Sequence, residues 1–336
     1  MKITTTLLAT LLVSLFSCSS ESVDPVDDTI VTPDPEEPQE LEYEWDLYAI
    51  PIEAPAGQAW VLQDQSDEFN YEAPADTKSD EFFAKWTDFY HNSWTGPTPT
   101  IWQRDHVSVT GGVLRIIASR PSDVEWVTVS SGGESTSMPG TYTGCITSTK
   151  PVSYPAYIEA YAQLSNSTMA SDVWMLSADD TQEIDIIEAY GGDRDEANGK
   201  TYYGADRLHL SHHVFIRDPF QDYQPTDAGS WYADGKGTLW RDDFHRIGVY
   251  WRDPFYLAYY VDGDLVRVVS GENIIDPYGY TDGTGLVKEL DIIINMEDQS
   301  WRAIGGLSPT DEELLNEENC TFKVDWIRVY NLEESK

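Results

Sequence analysis

Glu183-Ile184-Asp185-Ile186-Ile187-Glu188 sets three carboxylates among three isoleucines, and the fold of that stretch decides how the rest of the chain is read. β-Branched isoleucine favours a strand. Side chains along a strand alternate faces, so Glu183 and Asp185 share one face, and strict alternation would continue with Ile187 rather than Glu188. One extra residue between Asp185 and Glu188, a β-bulge, returns Glu188 to the acidic face. The two glutamate α-carbons would then stand roughly 13 Å apart, four steps of about 3.3 Å. Side chains leaning together across Asp185 could bring their carboxyls to about 5–5.5 Å, the separation that supports a double displacement at a glycosidic bond. A helix would spread the same acids around its axis. In a chain this acidic, a merely solvated sheet face is the competing explanation.

Working outward, Trp174 lies on the preceding run Ser171 to Leu176, and an aromatic ring beside an acid cluster suits a sugar better than bulk water. The remaining apolar runs are also strand-like: Val113 to Ser119, Glu125 to Ser130, Tyr157 to Gln163, Leu208 to Arg217, Phe244 to Arg252, Phe255 to Val261, Leu290 to Met296 and Phe322 to Tyr330. Asp262-Gly263 predicts a tight hairpin into Leu265 to Val269. A single helix has good start signals, at Thr310, where Glu313 completes a capping box. A dozen or so strands with hairpin turns predict an all-β fold, a jelly-roll sandwich of two stacked antiparallel sheets.

The chain has 336 residues and a formal net charge of −38, with 12 Trp and 20 Tyr. Such a surface repels nucleic acid and anionic membrane, disfavours heavily sulfated polysaccharides and leaves neutral glycans as the easy partners. Residues 1–18 read as an export signal: Lys2, an apolar stretch from Leu7 to Phe16, and Leu15-Phe16-Ser17-Cys18 in the pattern of a lipobox. Cys18 would then carry a lipid, making the protein an outer-membrane or cell-surface lipoprotein whose membrane contact is that anchor; ordinary secretion is the alternative. Residues 19–44 hold ten acids, four prolines and neither Lys nor Arg, which predicts an extended tether ahead of a catalytic domain over 45–332. Cys145 and Cys320 are expected as buried free thiols, a disulfide between them in an oxidising envelope being the alternative. The chain is expected to act as a monomer.

The ExDxxE pattern of Glu183, Asp185 and Glu188 resembles the signature of glycoside hydrolase family 16, and the longer strings resemble that family's β-agarases. These are His91 to Pro97 followed by Ile101-Trp102-Gln103, Ser211 to Arg217, Asn295 to Arg302, and the closing Phe322 to Tyr330. The resemblance implies a jelly roll with the acid strand on a concave substrate cleft, Glu183 as nucleophile, Glu188 as acid/base and Asp185 between them. On that resemblance Glu188 should be protonated near neutral pH, its carboxyl raised by the charges of Asp185 and Glu183. Trp94 and Trp174 would stack on sugar rings while His213, Arg217 and Glu297 read hydroxyls. Each has a structural alternative: Trp94 capping the core edge, Arg217 pairing with one of many acids, Glu297 pairing with Arg302. His212 and His213 must face opposite ways, and His213 is the one expected in the cleft. The resemblance also implies a structural Ca²⁺ held by the Gly112 carbonyl and Asp325, and no cofactor for catalysis. The activity implied is endo-hydrolysis of β-1,4 linkages in agarose with retention, yielding neoagaro-oligosaccharides. A porphyranase or other red-algal galactan hydrolase, and a non-catalytic glycan-binding jelly roll, are the alternatives.

Overall fold

The structure is a computed structural model that describes residues 48–194 and 204–335. The expected export signal, its Cys18 and the acidic tether lie outside the described residues. From Ile50 onward the chain forms one compact unit.

In chain order the strands are β1 (Gln58–Leu62), β2 (Trp86–Thr87), β3 (Thr100–Trp102), β4 (Val107–Thr110), β5 (Val113–Ser119), β6 (Trp126–Ser131) and β7 (Glu134–Pro139). There follow β8 (Thr141–Thr143), β9 (Cys145–Ser148), β10 (Ala156–Gln163), β11 (Ala170–Ser177), β12 (Gln182–Tyr190), β13 (Leu208–Arg217) and β14 (Phe220–Tyr223). The last six are β15 (Trp231–Tyr232), β16 (His245–Asp253), β17 (Tyr256–Val261), β18 (Asp264–Ser270), β19 (Leu290–Glu297) and β20 (Thr321–Glu334). One sheet runs β18-β17-β16-β10-β20-β5-β8-β3, with β1 on β20 and β4 on β5. The other runs β14-β13-β12-β11-β19-β9-β2, with β15 on β13, and β6-β7 form a separate hairpin. The two sheets stack as the jelly-roll sandwich expected from the strand pattern. Within this antiparallel scheme β3 and β8 pair parallel, a local departure from the purely antiparallel expectation.

Alternation explains the layers. β5 buries Leu114, Ile116 and Ala118 and turns the residues between them outward. β12 is hidden almost throughout, and Ile184, Ile186 and Ile187 are fully buried in the main core. Burying each isoleucine contributes roughly 1.5–3 kcal/mol. The bulge falls where alternation requires it. On one side Trp174 pairs with Asp185 and Val173 with Ile187, skipping Ile186. On the other, Ser211 pairs with Asp185 and His209 with Glu188, so Leu210 alone spans Ile186 and Ile187.

The β17-β18 hairpin turns through Asp262 and Gly263, both in the left-handed region (φ 51° and 87°), where a bulkier pair would be strained. Thr310 caps a helix at Asp311–Leu314 through the reciprocal contact with Glu313. Short helices at Asp80–Lys85, Glu272–Ile275 and Ser300–Ile304 lacked start signals strong enough to be expected. Cys145 and Cys320 are buried free thiols.

Candidate active site

A groove of about 1100 Å³ lies over the β11-β12-β13 surface. Glu183, Asp185 and Glu188 from β12 and Trp174 from β11 line it, together with Trp94 and Trp301. The bulge at Ile186 therefore brings all three acids to one surface, as the spacing required.

The Glu183 end is built around an imidazole. His213 on β13 pairs with Glu183 in register, and its Nε2 lies 3.8 Å from both Glu183 Oε1 and Asp185 Oδ2. Its Nδ1 lies 2.7 Å from Asp222 Oδ1 on β14. The ring stacks on Phe215 at 5.2 Å. Burial opposes a charge on His213, but Glu183, the Asp222 hydrogen bond and Asp185 together hold it up to about 10. In that state the ring carries two protons and offers no lone pair to a metal, although Glu183, Asp185 and His213 place one ligand atom each within 4.8 Å of one another. Burial, then the charge of Asp185, push the Glu183 carboxyl well above its ordinary range. Asp185 is raised by burial as well, against the pull of His213. His212 faces the core, donates to the Ile275 carbonyl at 3.0 Å, and is carried down to about 3 chiefly by burial.

The Glu188 end differs. His209 Nδ1 lies 2.5 Å from Glu188 Oε2, and the His209 ring stacks on Trp231 at 4.1 Å and 13°. The Tyr190 hydroxyl lies 2.6 Å from both Glu188 Oε1 and Gln299 Oε1. Burial works to raise Glu188, but the charge and hydrogen bond of His209 and the Tyr190 hydroxyl carry it down to about 2. This corrects the expectation that neighbouring acids would hold Glu188 protonated. Their repulsion is present, and a direct imidazole contact outweighs it. Protonation is favoured instead at Glu183, and at Glu297, where burial brings the carboxyl up to about 7.

The other expected residues fall as follows. Trp94 is 45% exposed, its edges held by Tyr90 and Trp102 at 5.4 and 5.3 Å. Its loop is tied to the β11-β12 turn by His91 Nε2 at 2.7 Å and Asn92 Nδ2 at 3.0 Å from the Asp180 carboxylate. Trp174 pairs with Asp185 and donates to Asn295 Oδ1 at 2.6 Å; Asn295 in turn donates to Asp172 at 3.1 Å. Arg217 is exposed, lies over Phe215 at 4.4 Å and donates to the Asp180 carbonyl. Glu297 receives Gln299 Nε2 at 3.4 Å, while Arg302 is buried, donates to the Thr168 carbonyl and lies over Tyr190. Gly112 sits in the β4-β5 turn with φ 78°. Asp325 follows Val324, which pairs with Leu114 two residues beyond that glycine. The two positions are thus neighbours on oxygen-bearing elements, and neither lines the groove.

His209, Asp222, Tyr190, Gln299, Trp231 and Trp301 were not singled out from the sequence. His209 alone carried a usable signal: it lies four residues before His213 on a strand, hence on the same face.

The sequence signature of the domain described as "Beta-porphyranase A-D, GH16 domain" matches residues 60–332. A beta-agarase of Phocaeicola plebeius is 71% identical over 290 residues, covering 86% of this chain and 90% of that protein. The crystal structure of an inactivated mutant beta-agarase B in complex with agaro-octaose matches with a TM-score of 0.79 at 51% identity, covering 87% of this chain and 100% of that one. Beta-porphyranase B of Phocaeicola plebeius is 26% identical over 299 residues, covering 83% and 87%.

Proposed function

This chain belongs to the glycoside hydrolase family 16 domain family described as beta-porphyranase A–D, and on that premise we propose that it is an endo-β-agarase. It hydrolyses β-1,4 linkages in agarose with retention and releases neoagaro-oligosaccharides. The observation that carries the reading is the pair Glu183 and Glu188, on one face of β12 across the bulge, in a groove lined with tryptophans.

Glu183 attacks the anomeric carbon while Glu188 protonates the leaving oxygen; Glu188, then a carboxylate, takes a proton from the water that opens the glycosyl-enzyme. The productive form needs Glu183 ionised and Glu188 protonated. The protein groups around them favour the opposite placement, and the carboxyls titrate as a coupled set. The productive form therefore needs one proton fewer on the Glu183–Asp185 pair and one more on Glu188. Afterwards His209 and Tyr190 stabilise the Glu188 carboxylate that must act as base.

Substrate choice rests on charge. The groove is lined by Asp172, Asp180, Glu183, Asp185, Glu188, Asp222, Asp227 and Glu297, against Arg217 as its lysine or arginine among the described residues. A sulfated chain meets repulsion there, whereas agarose is uncharged and binds through stacking on Trp94 and Trp174 and hydrogen bonds to His213, Arg217 and Glu297. The test is oligosaccharide profiling with agarose and with porphyran at low and high salt. Agarose is expected to be cleaved faster, with a KM nearly flat in ionic strength. Trp94→Ala should cost about ten- to a hundredfold in kcat/KM, for a lost stacking contact of roughly 1–3 kcal/mol. Faster cleavage of porphyran, with steep salt dependence and no loss in Trp94→Ala, would assign the chain to porphyran instead.

Three further readings belong with this one. Gly112 and Asp325 contribute oxygens to a structural Ca²⁺ site; an unchanged Tm in EGTA would discard it. Cys18 is the lipidated N-terminus of an exported protein; an alkyne fatty acid that labels Cys18→Ser as well as wild type would discard that. The enzyme works as a monomer, which a dimeric mass in solution would refute.

A further inference from the structure

We propose that Asp222 is a positioning residue for the nucleophile, acting through His213; the proposal rests on the assignment of Glu183 above. β13 and β14 form a tight hairpin in which Asp222 pairs with Phe215. That register sets the Asp222 carboxylate diagonally across from His213, and the two meet at 2.7 Å. Stacking on Phe215 fixes the plane of the ring, and Phe215 is itself stacked with Phe220 at 6.1 Å. With Nδ1 tied to Asp222, the only freedom left to the ring is rotation out of that stack, so Nε2 is held toward β12.

What Nε2 faces is unusual. Asp185 Oδ2 is buried and has no hydrogen-bond partner, and at 3.8 Å its contact with His213 is Coulombic. Glu183 Oε1 stands at the same distance. The charged and titratable groups around His213 are Glu183 and Asp185 from β12, Asp222 from β14, and His209, His212 and Arg217 along β13 itself. Three carboxylates thus share one imidazole, and two of them are in the acid cluster. The third, Asp222, takes no part in the displacement, yet it makes the hydrogen bond that orients the ring and helps keep it charged. A charged ring at that point favours the ionised nucleophile over its protonated form, while the Asp222 charge acting directly on Glu183 works the other way, so the benefit of Asp222 is carried by the ring it orients.

Asp222→Asn separates this role from simple packing, because asparagine keeps the shape and an acceptor oxygen and removes the charge. The His213 ring is followed by NMR in the free protein from pH 6 to 11, and kcat and KM are measured on agarose oligosaccharides. In Asp222→Asn the titration midpoint of His213 should fall by about one unit or more, and kcat should fall by about tenfold with little change in KM as the ring loses the charged hydrogen bond that orients it. Asp222→Glu, which restores the charge, should bring the midpoint back toward that of the wild type. A wild-type midpoint and kcat in Asp222→Asn would overturn the proposal, as would equal losses in the Asn and Glu variants. The NMR titration involves no substrate, so inactivity of the wild type on agarose would defeat the functional assignment while leaving the Asp222–His213 result readable.

Discussion

Glu183 and Glu188 stand on the same strand, face the same groove and are both hemmed in by acids, yet their surroundings drive them apart. Each has a histidine from β13 beside it. His209 touches Glu188 directly at 2.5 Å and is joined by the Tyr190 hydroxyl. His213 stands 3.8 Å from Glu183 and divides its influence with Asp185 and Asp222. One carboxyl is carried down to about 2 and the other is pushed well up. The difference teaches that a nearby imidazole is not enough to set a carboxylate's charge. A hydrogen bond in contact dominates, and a cation shared among three anions yields to burial and repulsion.

The largest test of the comparison is its loss of function. Glu183→Gln and Glu188→Gln should each lower agarose turnover by at least about a thousandfold, as for residues that act as a unit. Azide should rescue Glu183→Ala as a glycosyl azide of inverted configuration, because the small anion fills the place of the nucleophile, whereas any azide product of Glu188→Ala should retain configuration. Near-normal turnover in either glutamine variant would end the assignment.

Stability should split the pair by sign. Glu183 has a folded-state pKa above its unfolded value, so its ionisation works against the fold as pH rises through the unfolded pKa, and Glu183→Gln should raise Tm at pH 7. Glu188 has the opposite shift: its stabilisation is present above the unfolded pKa and is lost as pH falls toward about 2. Glu188→Gln should therefore lower stability at neutral pH. Melting curves that move in the same direction for both variants would show that the two ends are not electrostatically distinct.

The smallest test concerns His209. His209→Asn should let the Glu188 carboxyl rise, moving the acidic limb of kcat/KM to higher pH by about one unit and raising its plateau, because a larger share of the enzyme then holds Glu188 protonated. An unmoved limb would mean that Tyr190 and the bulge, rather than His209, fix the state of Glu188.

Much of this was legible in the order of residues. Strands such as Val113 to Ser119 and Leu208 to Arg217 announced themselves by alternation and β-branching, and the bulge was demanded by having two isoleucines where one would keep the acids aligned. Short pieces were not legible: β3 and β8 have three residues each, too few for a period to register, and their parallel pairing is a tertiary choice. The charge state of Glu188 was misread for a related reason. Repulsion from Asp185 is visible within six residues, whereas His209 and Gln299 arrive from other strands and loops. Asp222 reaches His213 only because the chain reverses between Arg217 and Phe220, and nothing in its immediate neighbours distinguishes it from the chain's many other acids.

An extra residue in a strand is also a place where length can change. Deleting one residue from a strand ordinarily turns every later side chain inside out. β12 is an exception, because both flanking strands already count it one residue short: Val173 and Trp174 skip Ile186, and Leu210 spans Ile186 and Ile187 together. Loss of either isoleucine would leave Glu183, Asp185 and Glu188 on the same side with both ladders regular. Descendants of this chain could therefore shed a residue in the middle of the acid strand without reversing its faces, and would give up only the local twist that aims Glu188.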